Sequence, residues 1–155
     1  MLGTLRQATR ADIPAIHAVR MSVRENQLTR GVITERDYVE HLDNIGRGWV
    51  IEVAGQIVGV VVGNAQSGNI WALFVHPDFE QRGFGKRLLD AAADWLWSQG
   101  LTRLWLNTEP ATRAQSFYES AGWTNVCTTE SGEVRFELSA PSAWQSKIPP
   151  PPDHR

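Results

Sequence analysis

Apolar positions along this chain switch between two periods, and each switch marks an element. Residues 4–8 read as a short first strand. Asp12 then offers an N-cap, and Ile13, Ile16, Val19 and Val23 keep helical spacing, with Pro14 near the start where a missing N–H costs little. Gly31 breaks the pattern. Thr34-Glu35-Arg36-Asp37 has the form of a capping box and opens a second helix carrying Tyr38, Leu42 and Ile45, with Gly46 and Gly48 placed to end it. Three strand-like runs follow at 49–53, 57–64 and 70–75. Ala54-Gly55-Gln56 joins the first two as a hairpin turn, and Ser67-Gly68-Asn69 marks the next turn.

Residues 84–99 give the clearest helix, with Leu88, Leu89, Ala92, Trp95 and Leu96 on one face and Gly100 beyond its end. Residues 101–107 alternate as a strand, 111–120 form a further helix ending at Gly122, and 123–129 with 133–138 form a hairpin across Ser131-Gly132. The order β-α-α-β-β-β-α-β-α-β-β predicts an α/β (α+β) fold, a mixed and mostly antiparallel sheet flanked by helices. A globular unit over 1–138 is expected. Residues 139–155 are expected to be a tail, because the four consecutive prolines at 149–152 cannot enter a helix or an interior strand.

Composition narrows the function. A chain of 155 residues, 42% hydrophobic and with seven tryptophans, is large enough for one packed core without staples. A net charge of −2 speaks against nucleic-acid binding. The single cysteine, Cys127, cannot pair internally and reads as a small, partly buried hydrophobe; no Cys/His spacing suggests a metal. No run of ~18 apolar residues would span a membrane and no leader-like segment opens the chain, so a cytoplasmic location is expected.

The chemistry concentrates at residues 75–89. A strand, a Pro-marked turn and a glycine loop lead into a helix whose first turn leaves about four N–H donors free. Glycines at 83 and 85 let an anion approach the backbone, and Arg82, Lys86 and Arg87 add positive charge, so a phosphate-bearing ligand is expected. A dinucleotide loop is disfavoured, since Leu88 occupies the third glycine position; Gly85-Lys86-Arg87 does not fit a P-loop. A generic nucleotide binder, taking ATP or NAD, stays open on this loop alone.

The strand at 70–75, the loop at 81–86 and the downstream Ser116-Phe117-Tyr118-Glu119-Ser120-Ala121-Gly122-Trp123 together resemble the GNAT acetyltransferase family. The resemblance implies a fold that splays two neighbouring strands to grip acetyl-CoA. It implies backbone pairing of Leu73, Phe74 and Val75 with the pantetheine arm, and amides of Gln81, Arg82, Gly83, Phe84, Gly85 and Lys86 around the pyrophosphate. Asn107 and Arg113 join the same cofactor set. It also implies transfer of acetyl to a primary amine, either a small molecule or a peptide, by direct attack in a ternary complex. Tyr118 falls at the family's general-acid position, where a phenol can protonate the departing thiolate.

Some positions depart from the family pattern. Glu80 stands where Gln or Arg is usual, and is expected to face solvent or pair with Arg82; Gln81 stands where Gly is common. Asn69 and Ala111 replace residues that many relatives use. Glu109 is the candidate base, with a water chain as the alternative, and Glu25, Asn26 and Trp71 are candidates for the acceptor site, Trp71 by alternating with Leu73 on one sheet face. His76 reads as a turn residue, and His17 and His41 as ordinary helix positions. Trp97 falls off the apolar stripe of its helix and, with Trp144, is a candidate contact for another chain or the tail. The resemblance admits a homodimer. The rival function is a non-catalytic acyl-CoA-binding or regulatory module of the same fold.

Overall fold

A computed structural model of the chain describes residues 3–23, 33–110 and 112–141. Four strands pair in chain order as an antiparallel sheet: β1 (Thr4–Gln7), β2 (Gly46–Val53), β3 (Gln56–Asn64) and β4 (Ile70–Val75). The turn between β2 and β3 holds Ala54 and Gly55 both at positive φ, 51° and 82°, as a tight two-residue hairpin requires. A second antiparallel sheet, ordered β5-β7-β6, comprises β5 (Arg103–Thr108), β6 (Thr124–Thr128) and β7 (Val134–Ser139). The strands are those predicted, but they divide into two sheets.

Helices cover the first sheet on both faces. α1 (Ile13–Ser22) lays Ile13, Ile16 and Val19 against Val50, Val60 and Val62, together with Tyr38 of α2 (Glu35–Val39) and Leu42. On the opposite face α3 (Phe84–Ser98) packs Leu88, Ala92 and Leu96 into one core with Ile51, Val58 and Val61, and with Leu104, Leu106 and Phe136 of the second sheet. β3 is therefore buried on both sides, which explains why Val58, Val60, Val61 and Val62 follow one another without a polar residue between them. Among the described residues no helix is long and apolar enough to cross a membrane.

Three expectations change here. The second predicted helix is a short α2, started by reciprocal bonds between Thr34 and Asp37, and it widens into a π-turn at Glu40–Asn44. Gly46 and Gly48 do not stop it; they are already in β2, where the ladder pairs Gly46 with Asn64 and Gly48 with Val62. Trp97 is buried at 2% exposure. The buried face of α3 comprises two adjacent i,i+4 rows, Leu88/Ala92/Leu96 and Leu89/Ala93/Trp97, and is wider than a single stripe. Cys127 is exposed, because β6 is an edge strand with every residue open to solvent. The Pro-rich tail and Trp144 lie outside the described residues.

Candidate active site

Besides the core they share, the two sheets are joined by one isolated backbone bridge among the described residues. Asn69 and Trp105 form an isolated parallel bridge: Trp105 N–H donates to Gly68 O at 3.0 Å, and Asn69 Nδ2 donates to Trp105 O at 3.2 Å. Past this joint, β4 and β5 share no ladder among the described residues, so they form a V that opens toward their C-terminal ends. His76 N–H donates to Val58 O at 2.8 Å, which fixes the alternation along β4. Phe74 therefore turns its backbone groups to β3, whereas Leu73 and Val75 turn theirs to the open edge. An extended ligand can add there as a strand, with its polar groups satisfied by the backbone.

The loop beyond β4 is shaped at the same mouth. A 3-10 turn spans Pro77–Phe79, capped by His76 Nδ1, which accepts from Asp78 N–H at 3.1 Å. Gln81 (φ 63°) and Gly83 (φ 81°) both take the left-handed conformation. The position where relatives favour glycine is thus one whose backbone favours glycine, and here Gln81 holds it. Gly83 caps α3 without a side-chain bond, and Arg87 N–H is the donor that returns to Gly83 O. The amides of Phe84, Gly85 and Lys86 remain as first-turn donors toward the positive end of a 15-residue helix.

The cations do not converge as the sequence suggests. Arg82 lies over the Phe79 ring at 5.0 Å, and Lys86 pairs with Asp90 at 3.2 Å. Arg87 points away to Gly3 O at 3.0 Å and ties the start of the chain to α3. Glu80 stays partly open to solvent but does not pair with Arg82 among the described residues; it meets Arg113 at 2.7 Å, from the first residue of α4 (Arg113–Ser120). Loop and helix are thereby clasped across the mouth.

Tyr118, on α4, is 7% exposed and packs its ring against Phe117, Trp123 and Phe136, with centroids 5.3 to 5.9 Å away. Burial pushes its phenol well above the ordinary tyrosine value, so it stays protonated. No hydrogen bond to its hydroxyl is formed among the described residues. Asn107 sits exposed near the end of β5, in register with Arg135. Glu109 follows in a half-buried loop, where its carbonyl accepts from Thr112 Oγ1 at 2.9 Å.

Trp71 departs from the predicted alternation. A bulge between Ile70 and Ala72, opposite Gly63 and Val62, throws Trp71 onto the α1 face with Ala72 and Phe74, opposite Leu73. There His41 stacks on it at 3.9 Å and Tyr38 meets it edge-on at 5.5 Å. The Tyr38 hydroxyl bonds His17 Nδ1 at 2.8 Å; burial raises its pKa, against the pull of the neighbouring Arg20 charge. The two histidines thus belong to an aromatic cluster. Arg20, which the sequence reading passed over, completes it. Its signal was a cation four residues after Ile16, on the apolar side of α1. Glu25 and Asn26 lie outside the described residues.

A sequence model of the acetyltransferase (GNAT) family matches residues 13–123. Over 66 residues the chain is 39% identical to mycothiol acetyltransferase of Beutenbergia cavernae, covering 42% of this chain and 22% of that one. Over 58 residues it is 38% identical to the ribosomal protein bS18 alanine N-acetyltransferase of Salmonella typhimurium, covering 37% and 39%. The matched stretches thus span well under half of these relatives. Among solved structures, the ribosomal protein S18 alanine N-acetyltransferase of Escherichia coli superposes with a TM-score of 0.72 at 18% identity, over 89% of this chain and 94% of that chain. The PaiA N-acetyltransferase of Thermoplasma acidophilum in complex with coenzyme A superposes at 0.75 and 14% identity, over 90% and 100%.

Proposed function

This chain belongs to the GNAT acetyltransferase family, and from that premise we propose that it transfers an acetyl group from acetyl-CoA to a primary amine. The observation that carries the reading is the continuous surface formed by the open edge of β4 and the left-handed loop into α3. One strand edge suits an amide-bearing arm, and the helix amides next to it suit a diphosphate. Leu73 and Val75 hold the arm, residues 81–86 hold the pyrophosphate, and the donor supplies an activated thioester carbonyl. The amine attacks that carbonyl directly, backbone N–H groups on the β4 edge stabilise the developing oxyanion, and Tyr118 gives its proton to the leaving thiolate. The amine loses its proton to Glu109 or to a water held near it.

The rival reading keeps the cradle and drops the turnover. In its favour, the Asn69 amide is engaged in the joint between sheets, and the Tyr118 ring is packed on three aromatic neighbours. Calorimetric titration of acetyl-CoA, ATP and NAD, followed by thiol release with a panel of amines, separates the two. Preferential coenzyme A binding with amine-dependent thiol release is expected. Tyr118→Phe is expected to lower kcat by about 100-fold or more while leaving coenzyme A affinity intact. Tight binding with no thiol release from any amine would establish the non-catalytic module instead.

A further inference from the structure

The aromatic cluster on the α1 face holds a cation with no carboxylate partner among the described residues. Arg20 lies in the last turn of α1, with its guanidinium carbon 4.9 Å from the Phe74 ring centroid and 5.6 Å from that of Trp71. The two rings supply cation–π attraction and the Tyr38 hydroxyl lies within hydrogen-bonding reach of the guanidinium, but neither ring offers an acceptor for Nη1. Nη1 is buried without a hydrogen-bond partner, and among the described residues no carboxylate forms an ion pair with Arg20. An unmet buried donor on a charged group is unfavourable, and a ligand acceptor would relieve it.

Its position relates this cation to the cleft. Trp71 and Phe74 flank Leu73, whose backbone faces the open edge of β4. Arg20 therefore stands one side-chain layer from the strand that the acyl donor would line. The phosphate-loop cations Arg82 and Lys86 are engaged separately with Phe79 and Asp90. A single guanidinium with rings on its faces and one unmet N–H group carries one positive charge, which the single charge of a carboxylate balances and whose oxygens its fork can meet. We propose that Arg20 recognises the acceptor, and that the acceptor is an amine carrying a carboxylate. The inference rests on the acyl-transfer reading above and gives it a substrate class.

Matched pairs test it: amino acids against their amides, and peptides with acidic first side chains against their Gln or Asn counterparts, each assayed by thiol release. At least one carboxylate-bearing series should exceed its neutral partner about tenfold or more in kcat/KM, chiefly through KM. Preference confined to free amino acids or to acidic peptides identifies the source of the carboxylate. Arg20→Met, which keeps an apolar stem between the rings, should abolish that preference without altering turnover of the neutral partner or coenzyme A affinity. Arg20→Lys should restore part of it. Equal rates for acid and amide, or a preference that survives Arg20→Met, would overturn the inference. If no amine turns over, the enzyme reading fails separately, and Arg20 is judged by calorimetric binding of the same pairs to the coenzyme A-loaded protein. Carboxylate-selective binding lost in Arg20→Met supports the assignment, and indifference overturns it.

Discussion

Glu80 and Arg113 place a carboxylate and a guanidinium 2.7 Å apart at the edge of a surface suited to anions. Glu80 is largely covered and Arg113 is mostly exposed, so the pair itself contributes little to stability, about 0–1 kcal/mol. Its larger effect falls on any diphosphate that competes for Arg113 while being repelled by Glu80. Glu80→Gln is expected to tighten coenzyme A binding several-fold at low salt, with the gain shrinking as ionic strength rises; unchanged affinity at low salt would show that the ligand does not sense Glu80. Tyr118 bears on pH. Its folded-state pKa is raised above the ordinary value near 10, so its stabilising contribution is complete below about pH 10 and is lost as pH climbs toward the folded value. Urea unfolding at about pH 8 and about pH 10.5 should show a steeper alkaline loss for the native protein than for Tyr118→Phe. Tyr38, shifted the same way, leaves part of the slope in place. At this scale the sequence revealed which residue types gather at 80–86, because glycine and turn chemistry are local. It did not reveal that Glu80 reaches Arg113, 33 positions away, or that Arg87 turns back to Gly3, since both depend on how α4 and the first strand dock.

Among elements, the joint between the sheets carries the most structural consequence for the fewest bonds. Gly68 adopts φ 80° and lends its carbonyl to Trp105 N–H, and a Cβ there would lie 2.6 Å from Arg103 O. Gly68→Ala is therefore expected to cost about 2–4 kcal/mol in urea unfolding and to weaken coenzyme A binding by moving the apex of the V. A second junction fixes β1. Arg6 donates to both oxygens of Asp12 at 2.8 Å and to Glu52 at 2.7 Å, holding the Asp12 carboxyl below the usual carboxylate range. That stability is present above about pH 4 and is lost as pH falls through the lowered folded value. Arg6→Ala should remove about 1–2 kcal/mol at neutral pH, allowing for screening of the partly exposed Arg6, and should flatten the acid limb. Element identity was legible because periods of 2 and 3.6 are written locally: β4 and its following loop fall where the pattern puts them. The bulge at Trp71 and the second buried row of α3 were not legible. Both arise from register and from docking against more than one surface, which no single stripe encodes.

At the scale of the molecule, a ligand lying along β4 and the start of α3 contacts the first sheet and faces the second across the V. Coenzyme A at about 100-fold over its dissociation constant should add about 2.7 kcal/mol of stability, a rise of roughly 5–10 °C in Tm by scanning fluorimetry for a protein of this size. No rise would exclude the cradle. The division into two sheets also follows the chain: all of β1 to β4, with α1 and α3, precedes residue 99, and β5 to β7 come after it. During synthesis, at about 5–20 residues per second, the first sheet and both covering helices are made roughly 2–8 s before the second sheet is complete. In that interval the β4 edge is a bare strand on a nascent chain, and any extended peptide nearby can pair with it. Among the described residues the later sheet bridges to that edge through its backbone at Asn69 and Trp105 alone, so it flanks the strand while leaving the backbone groups of Leu73 and Val75 unpaired by a ladder. The same exposed backbone is first a hazard of biogenesis and then, once flanked by the second sheet, the edge we propose for the acyl donor.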